Sequence, residues 1–511
     1  MTTIAEELAA WALEVDLEVI PPAVRHAATR HLLDGLGCAL GAVRTGAAPA
    51  VVAWSSLATA PRQATILGLP SHLGGVDDIS DANAAQTESA AHLGEVGDVS
   101  DANPTQIGSM RRPTHVAAGV NGYLVHALDF DDTHAGGLVH ATAVVLPTVL
   151  AVGEEVGASG AEVLTAAVVG YEAICRLAAA APHGFHKRGL HATSVCGVFA
   201  AALIAARLRG LDVATTVDAL GVAGSLAGGS LEFLNTGSDT KSVHPGLAAS
   251  NGVLGATLAA GGVGGPASIL EGSNGFYRAY AAVEVDDGAV VDELGERWET
   301  ERITIKPYPA CQLVHAQLDA VRTLTAAIDP VDIDAVVVTI PPDSEPIVAT
   351  PVDGKRRPRS DYEAKFSLPW SVATVLVDGD LTIDAFGLRD RAEVLALADR
   401  VTHTVADPGV PAADAPGRVR VTLRDGRHLD GHVASSRGGP TNPLDDTALV
   451  AKFHTTADLQ SPIWVGLATD ASQTPPGRAI DEVVFGLADL PDLRPLLDAL
   501  PVVHAFPTLE A

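Results

Sequence analysis

Between Thr114 and Gly265 the sequence is a nearly continuous succession of apolar runs with short polar breaks. Apolar residues recur there at steps of three and four, the spacing that places them on one face of a helix. The runs consist of Ala, Val, Leu and Gly, and only 4% of the chain is aromatic. Because small side chains let helix backbones approach closely, this stretch predicts a tightly packed helical core. Residues 1–60 continue the pattern, with predicted helices at Ala5–Val15 and Ala23–Ala42.

The pattern changes after about residue 300. Arg302–Lys306, Ala335–Ile340 and Val419–Val433 alternate apolar and polar residues, which is typical of half-buried strands. The dipeptide Asp425-Gly426 inside the last of these segments predicts a hairpin with a type I′ turn. From about residue 440 the helical spacing returns.

The length of 511 residues exceeds what one compact core usually holds, so two domains are expected. We predict a mainly α fold in which residues 1–300 and 439–511 form a large all-helical domain. Residues 301–438 are predicted to form a smaller inserted α+β domain.

An acidic, Gly-rich segment at about residues 71–110 interrupts the first domain. It repeats itself, because Val76–Asn83 (VDDISDAN) is echoed by Gly97–Asn103 (GDVSDAN). Since it is poor in large apolar residues, we predict a mobile surface insertion. A calcium loop is the alternative, but the 12-residue pattern with its terminal Glu is missing.

The charge of the chain narrows the possible partners. The formal net charge of −29 argues against a nucleic-acid surface, which needs clustered Lys and Arg. Apolar runs are shorter than the roughly 20 residues that span a bilayer, and the acidic N-terminus does not resemble a signal peptide. We therefore expect a soluble, cytoplasmic protein, and a reducing compartment fits four widely spaced cysteines without CxxC motifs. The cysteines are Cys38, Cys175, Cys196 and Cys311.

The first chemically distinctive segment runs from His126 to His140 and begins HALDFDDTH. If the helix before it continues, His126, Asp129 and Thr133 share one face. Buried carboxylates and imidazoles have to face a cleft or be paired, because unpaired buried charge is costly. The structural alternative is a cap and salt-bridge cluster at a helix end. A terpene cyclase is the alternative for Asp129–Asp132, but 4% aromatics and the lack of a second metal motif argue against it.

Two further segments place cationic side chains just before predicted helices. His191 precedes the helix Val195–Arg209, and Lys241 and His244 precede the helix Gly246–Ala260. Helix N-termini attract anions and should lower the pKa of a nearby imidazole, leaving it neutral near pH 7. The structural alternative for the loop before His191 is simply N-capping of the helix.

Two other ligand classes are disfavoured in these segments. His183, His186 and His191 are spaced like part of a metal site, but no carboxylate or thiol completes the set, so zinc is not expected. Gly221–Gly229 lacks the P-loop pattern, so nucleotide binding is not expected either. Two remaining segments, Ile303–His315 and Asp361–Trp370, could by themselves be structural turns.

Taken together and in this order, these segments resemble the MmgE/PrpD family, which includes 2-methylcitrate dehydratases, cis-aconitate decarboxylases and iminodisuccinate epimerases. The resemblance extends over nearly the whole chain. Its motifs are HALDFDDTH…H at 126–140, GYEAICR at 170–176, GLHATSVCGVFAAA at 189–202, SLEFLNTGSDTKSVHPGLAA at 230–249, GPASILEGSNGFY at 265–277, KPYPACQLVHAQLDA at 306–320, EAKFSLPW at 363–370 and GGPTNPLDDTALVAKF at 438–453.

The resemblance implies an all-helical domain built from both chain ends, a smaller α+β lid with a cleft between them, a homodimer, and no required metal or organic cofactor. A small carboxylate or carbonyl compound is the implied partner. Scarce lysine and the helix composition indicate a GC-rich bacterial source. Matching the motifs assigns catalytic roles to Asp129, Thr133, His140, His191 and Lys241. We assign substrate binding to Lys306, His244, Cys311, Tyr308 and Thr142.

Three departures from the family pattern bear on the substrate. His140-Ala141-Thr142 stands where the family usually has His-Pro-Ser, which affects the carboxylate contact. Cys311 occupies a place where decarboxylase-like members have His, which counts against cis-aconitate decarboxylation. The insertion at about 71–110 is not a family feature, and at the border of the cleft it would admit a larger substrate.

These observations predict a lyase that removes a proton α to a carboxylate or carbonyl and then eliminates water, as a 2-methylcitrate dehydratase does. Lys241 and His191 would hold the substrate anion and stabilise enolate-like charge. His140 would be the general acid and base, with Asp129 orienting it and Thr133 hydrogen-bonded to substrate.

Three alternatives stay open. A relative in specialised metabolism would use dehydration and Michael-type addition or cyclisation on a larger substrate. A decarboxylase or epimerase of the same family is the second, and a non-catalytic protein that binds small acids is the third.

Overall fold

The computed structural model of the protein describes residues 2–47, 63–70, 109–465 and 476–503. Helices dominate these residues, which confirms the prediction of a mainly α fold. The predicted insertion at 71–110 lies outside the described residues, except for its last two, which belong to a short strand. None of the helices in the described ranges is long and apolar enough to span a bilayer.

Residues up to about 300 are chiefly helical. The N-terminal predictions are confirmed within two residues at each end, and the small-residue run between 114 and 265 forms the successive helices that its spacing predicts. The elements are α1 (Ile4–Glu14), α2 (Pro22–Arg44), β1 (Ala64–Pro70), β2 (Ser109–Arg112), α3 (Thr114–His126), β3 (Thr133–His134), α4 (Thr142–Val156), α5 (Gly160–Ala179), α6 (Gly184–Lys187), α7 (Ala192–Leu208), α8 (Val213–Ser225), α9 (Phe233–Thr236), α10 (Val243–Ala260) and α11 (Gly288–Val291).

The rest of the chain alternates strands and helices before it returns to helix. The elements are β4 (Ile303–Thr304), α12 (His315–Thr325), β5 (Ile333–Ile340), α13 (Val352–Arg356), α14 (Asp361–Ala364), α15 (Leu368–Asp378), α16 (Ala392–Ala398), β6 (Val401–Val405), β7 (Gly417–Leu423), β8 (His428–Val433), α17 (Asp446–Ala457), β9 (Trp464–Val465), α18 (Pro476–Phe485), α19 (Arg494–Ala499) and β10 (Val502–Val503).

The apolar side chains form two large clusters. The first contains buried residues from Ile4 to Ile305 and again from Leu449 to Leu500. The second contains buried residues from Tyr308 to Leu423. The predicted domain boundaries at residues 300 and 439, and the arrangement of the smaller part as a lid, stay predictions.

The second cluster is built on a four-stranded sheet with the order β6-β5-β7-β8. β5 pairs with β6 in parallel and with β7 antiparallel, and β7 and β8 form an antiparallel hairpin. Along β7 buried residues alternate with more exposed ones, as expected of a sheet covered on one face. The predicted hairpin at Asp425-Gly426 is confirmed. The prediction of a type I′ turn is wrong, because that turn needs a positive φ at both central residues and of these two only Gly426 has one, of 85°. A three-residue loop with one left-handed glycine satisfies the same strand twist.

Close helix packing follows from the small residues. A Cβ added to Gly122 in α3 would lie 2.8 Å from the Cα of Gly246 in α10. A Cβ on Gly252, further along α10, would lie 2.5 Å from the carbonyl oxygen of Val198 in α7. These three helices therefore touch through their backbones, which brings the end of α3 next to the beginnings of α7 and α10.

A small pairing joins the first motif to the start of the second cluster. β3 pairs antiparallel with β4, with Thr133 opposite Thr304 and His134 opposite Ile303. The chain after β4 therefore runs past the end of α3. This register places Lys306 beside Asp129.

Candidate active site

The turn after α3 carries the first candidate residue. α3 ends at His126, so the prediction that His126, Asp129 and Thr133 share one helix face is wrong. Asp129 has a φ of 52° and its N–H donates to the His126 carbonyl at 3.0 Å. Asp is among the few residues that tolerate this left-handed conformation, and one such residue ends a helix. Thr133 lies instead on β3.

Two lysines meet on the Asp129 carboxylate. Lys241 Nζ lies 2.7 Å from Asp129 Oδ1, and Lys306 Nζ lies 3.1 Å from the same oxygen. All three side chains are buried. Burial acts to raise the pKa of Asp129, but the ammonium groups of Lys241 and Lys306 outweigh it and hold that pKa well below its usual range. Asp129 is therefore ionised and compensates two buried cations.

His140 stands next to this ion cluster in a defined tautomer. Its Nδ1 lies 2.8 Å from the carbonyl oxygen of Asp132, which can only accept, so Nδ1 carries the proton. Thr133 Oγ1 lies 3.2 Å from the same nitrogen. Burial first, and then the nearby Lys241 and Lys306, depress the pKa of His140 well below its usual value. His140 is therefore neutral near pH 7, with an unprotonated Nε2 that lies 3.3 Å from Lys241 Nζ.

His191 and His244 form the opposite side of the cluster. His191 precedes α7, as predicted, but the helix begins at Ala192, three residues before the predicted Val195, so that His191 is its N-cap residue. The Nδ1 of His191 lies 3.2 Å from His244 Nδ1. Burial and then Lys241 and His244 hold the pKa of His191 well below its usual value, so the predicted direction is confirmed although burial is the main cause. Burial also lowers the pKa of His244 to about 4.

The predicted start of α10 is wrong by three residues. The helix begins at Val243, so His244 lies in its first turn and Pro245 is its third residue. Lys241 lies just before it, in a 3₁₀ turn spanning Thr240–Ser242. The sequence permits this earlier start because proline is tolerated throughout the first turn, where its missing N–H has no helical partner.

The remaining predicted substrate ligands have other partners. Thr142 donates from N and Oγ1 to the carboxylate of Asp132, at 3.0 and 2.5 Å. The hydroxyl of Tyr308 donates to Asp319 at 2.7 Å and accepts from Arg437 at 3.1 Å. These contacts fix the backbone around the site, and substrate binding by Thr142 and Tyr308 stays a prediction.

Cys311 lies at the edge of the cluster of charged groups around Asp129. It is half-buried, and its N–H donates to the Lys365 carbonyl at 2.9 Å. Burial first and then Asp129 raise the pKa of its thiol. A small aromatic cluster of Phe233, Tyr362 and Phe366 packs against it. Cys311 is therefore a neutral thiol near the ionised groups.

Sequence reasoning assigned no role to a histidine–carboxylate pair beneath the site. His126 Nδ1 lies 2.8 and 2.9 Å from the two carboxylate oxygens of Asp131, and both side chains are fully buried. Within the described part of the chain, His126 Nε2 has no hydrogen-bond partner. The ring of His140 lies 4.6 Å away, centre to centre. A five-residue spacing of His and Asp in the first motif was the signal available.

The histidines also raise the question of a metal. Ring nitrogens of His126, His140 and His191 lie within 4.8 Å of one another. A divalent cation held there would meet the Lys241 ammonium, which lies 3.3 Å from His140 Nε2. Because like charges at this distance repel strongly in a buried site, these residues do not fit a bound metal.

Lys365 and Lys452 are the other residues that sequence reasoning missed. Lys365 Nζ donates to the Leu128 carbonyl at 2.8 Å, and Lys452 Nζ donates to the Phe130 carbonyl at 2.9 Å. Both carbonyls flank Asp129. The signal available in the sequence was the rarity of lysine, since the chain has only six lysines and these two lie in apolar motifs.

An open cleft of about 880 Å³ lies beside the cluster. Gly189, two residues before His191 in the chain, forms part of its wall, whereas Asp129, His140, His191 and Lys241 are not among the lining residues. The lining residues are His186, Arg188, Gly189, Ser230, Leu231, Glu232, Leu234, Asn235, Pro346, Ile347, Thr350, Pro351, Gly354, Lys355, Arg359 and Glu363.

Curated relatives share most of this chain. A cis-aconitate decarboxylase of Aspergillus terreus is 28% identical over 522 aligned residues, covering 97% of this chain and 96% of that protein. Cis-aconitate decarboxylases of Mus musculus and Homo sapiens are 30% and 29% identical, each over 68% of this chain and over 72% and 73% of their own lengths. The relatives are thus similar enzymes, at moderate identity.

Family models cover most of the chain as well. The MmgE/PrpD N-terminal domain matches residues 6–91 and 84–286, and the MmgE/PrpD C-terminal domain matches residues 308–462. Both models lie in the order that the resemblance of the motifs implies. The chain therefore belongs to the MmgE/PrpD family.

Proposed function

We propose that the protein is a cofactor-independent lyase that removes a proton α to a carboxylate of a small polycarboxylate and eliminates water. One observation carries the proposal: the neutral His140 presents an unprotonated Nε2 3.3 Å from the Lys241 ammonium, which is itself anchored on Asp129. A base and a cation in contact with the same space suit proton removal next to an anionic group.

Binding of the substrate anion falls to the cationic and imidazole groups. An ammonium group has three N–H donors, so Lys241 keeps one for the substrate after donating to Asp129 and His140. His191 supplies a neutral imidazole at the N-terminus of α7, where the helix dipole and free N–H groups favour negative charge. A substrate carboxylate between Lys241 and His191 would replace water in a buried site.

The reaction follows from these positions. His140 Nε2 takes the α-proton, and Lys241 and His191 stabilise the enolate-like charge that forms on the carboxylate. The β carbon–oxygen bond then breaks, and the imidazolium of His140 returns its proton to the departing hydroxide as water. Thr133 keeps the ring orientation through its contact with His140 Nδ1.

Decarboxylation is the second candidate, because the relatives named above are cis-aconitate decarboxylases. In that reaction the substrate would lose carbon dioxide, and the resulting carbanion would take a proton from the Lys241 ammonium, because Nε2 of the neutral His140 carries none. Cys311, standing where decarboxylase-like members have His, counts against it. The products separate the two candidates, since one reaction releases water and the other carbon dioxide.

Two accompanying properties are part of the proposal. A homodimer in the cytoplasm is what the family resemblance implies. The cleft of about 880 Å³ is also at the upper end of the range for small-ligand sites, about 300–1,000 Å³, and leaves room for a substrate larger than a tricarboxylate.

Proton NMR in D₂O tests the proposed function. Purified protein is incubated with 2-methylcitrate, citrate, cis-aconitate and iminodisuccinate, and the His140→Gln variant serves as the inactive control. Loss of water with formation of an alkene, or uptake of deuterium at the α carbon, supports it. Release of carbon dioxide favours decarboxylation. If the folded protein changes none of the four compounds, the small-polycarboxylate proposal is refuted.

A further inference from the structure

Three consecutive carbonyl oxygens in the turn after α3 each accept a hydrogen bond from a different lysine. Lys365 Nζ donates to the carbonyl of residue 128 at 2.8 Å, Lys306 Nζ to that of residue 129 at 2.9 Å, and Lys452 Nζ to that of residue 130 at 2.9 Å. Half of the chain's six lysines thus hold one turn. We name these three side chains the lysine clamp.

The position of the clamp explains why cations suit it. The three carbonyls follow α3, which ends at His126, so they lie near the negative end of the helix dipole. The turn also contains Asp129 in a left-handed conformation, with φ of 52°, which needs support from its surroundings. Ammonium groups satisfy both requirements at once.

Lys365 differs from the other two members. Lys306 pairs with the Asp129 carboxylate at 3.1 Å and Lys452 with the Asp34 carboxylate at 2.6 Å. Lys365 instead donates to two backbone carbonyls, those of Leu128 and Pro309, the second at 3.2 Å. Its ammonium also lies 3.9 Å from the centre of the Phe386 ring.

Lys365 therefore ties together two segments that carry the reacting groups. Leu128 precedes Asp129, which anchors Lys241, and Pro309 lies between Lys306 and Cys311. Burial lowers the pKa of Lys365 to about 8, so keeping it charged costs stability. An apolar side chain would avoid that cost, so the ammonium is expected to serve a purpose other than stability.

We propose that Lys365 is a positioning residue for the reaction, because its bridge between Leu128 and Pro309 fixes Asp129 and Lys241 relative to Lys306. This inference rests on the proposed function for its kinetic consequence only. The geometry of the bridge itself does not depend on which substrate the protein takes.

The kinetic test compares Lys365→Met with a matched control. Like Lys365→Met, Arg207→Met removes a cation that donates to a backbone carbonyl, here that of Ala12; Arg207 is half-buried and remote from the site. Because a shift of about 1 Å in a catalytic group can cost about 10²-fold in rate, we expect kcat of Lys365→Met to fall about 10²-fold with KM within threefold. Arg207→Met should keep the kcat of the wild type.

A second variant tests whether the cation itself is responsible for the loss. Lys365→Arg keeps a cation with several N–H donors, and we expect it to recover part of the kcat that Lys365→Met loses. A kcat within threefold of the wild type in folded Lys365→Met would overturn the positioning role. A kcat of Lys365→Arg no higher than that of Lys365→Met would do the same.

Hydrogen exchange tests the bridge without any substrate. In the full-length protein, the peptide covering residues 126–134 is followed by mass spectrometry in the wild type, Lys365→Met and Arg207→Met. Exchange at least tenfold faster in Lys365→Met alone supports the inference, and unchanged exchange overturns it. If the wild type converts none of the carboxylates, the proposed function fails while this measurement still decides on the bridge.

Discussion

The lysines of this chain are placed unlike those of most proteins. Lys241, Lys306, Lys355 and Lys365 are buried, and the side chain of Lys452 is only 8% exposed. Removing an ammonium group from water is costly, so lysines normally stay at the surface. Four of these five lie around Asp129, where the carboxylates of Asp129 and Asp34 and a row of carbonyl oxygens compensate their charge.

His140 is the side chain from which we expect the largest loss of activity. Replacing His140 by Ala should lower kcat at least ~10²-fold, because the acid–base group is then missing from the proposed proton transfer. Steady-state kinetics on the substrate found by NMR measures the effect. His403→Gln is the control, since His403 lies on β6, outside the site, and pairs with Glu345. An unchanged rate in His140→Ala would remove this residue from the mechanism.

The ionisation of Lys365 predicts a pH-dependent stability difference. The pKa of Lys365 is about 8 in the folded protein, against its usual value of 10.5. Between these values the unfolded state binds more protons, so the stability that a charged Lys365 costs shrinks as the pH rises, and the free energy of unfolding rises by as much as ~3 kcal/mol. Other groups cancel in the comparison with Lys365→Met.

Urea unfolding at pH 7.5 and at pH 10 measures that difference. Relative to Lys365→Met, the wild type should become more stable at the higher pH. A difference that stays constant, or that shrinks as the pH rises, would show that Lys365 keeps an ordinary pKa in the folded protein.

Single residues were predictable from the sequence when their neighbours in the chain determine their setting. His191 before α7 is an example, because a helix start is visible in the sequence. The contacts of Lys306 with Asp129 and of Lys365 with Leu128 join residues about 180 and 240 positions apart, and spacing carries no information on such contacts. Motif resemblance supplied Lys306, while Lys365 was treated as part of a possible turn.

At the level of elements, helices and strands were easier to predict than their ends. The periodic runs gave α1, α2, β5 and the β7–β8 hairpin correctly, because amphipathic spacing directly reflects which face is buried. The end of α3 was predicted too late, because Asp129 stops the helix by a conformation that distant lysines support. The start of α10 was predicted too late, at Gly246 instead of Val243, because the sequence does not show how much of the first turn precedes Pro245.

The contact between α3 and α10 predicts a sensitive glycine. In Gly122→Ala the new Cβ would lie 2.8 Å from Gly246 Cα, so the helices that position Asp129 and Lys241 must move apart. Overpacking costs ~1–3 kcal/mol, more than the ~1 kcal/mol that Ala gains over Gly inside a helix. We therefore expect lower stability in urea together with a lower kcat.

Gly387→Ala is the matched control for Gly122→Ala. A Cβ at Gly387 would have no heavy atom within 4 Å, so both stability and kcat should stay close to those of the wild type. A Gly122→Ala protein as stable and active as this control would mean that the two helices are free to separate without cost.

At the scale of the whole molecule, two opposite charge distributions coexist. The chain carries a formal net charge of −29, whereas its buried centre gathers four lysines around Asp129, one of them paired with the buried Asp34. The surface therefore repels the anions that the interior is proposed to bind. Fold class and family could be inferred from the sequence because they depend on long ordered patterns. The contrast between an acidic surface and buried lysines could not, since composition does not show which residues are buried.

The opposing charges predict how salt affects the enzyme. The charges of the residues that line the cleft nearly cancel, so the electric field outside it is dominated by the net charge of −29. These charged residues are Arg188, Lys355, Arg359, Glu232 and Glu363. Raising NaCl from 0.01 to 0.15 M shortens the Debye length from about 30 to about 8 Å, which screens this long-range repulsion. Contacts of about 3 Å inside the buried site are screened much less.

We therefore expect kcat/KM for a tricarboxylate to rise at least about twofold over this salt range while kcat stays constant. The same titration with an uncharged amide or ester analogue as competitive ligand should show no change in affinity. If kcat/KM for the tricarboxylate fell with salt instead, the positive groups of the cleft mouth and the lysines behind it would govern the approach of the substrate. Long-range repulsion by the acidic surface would then be too weak to matter, and the electrostatics of binding would be local.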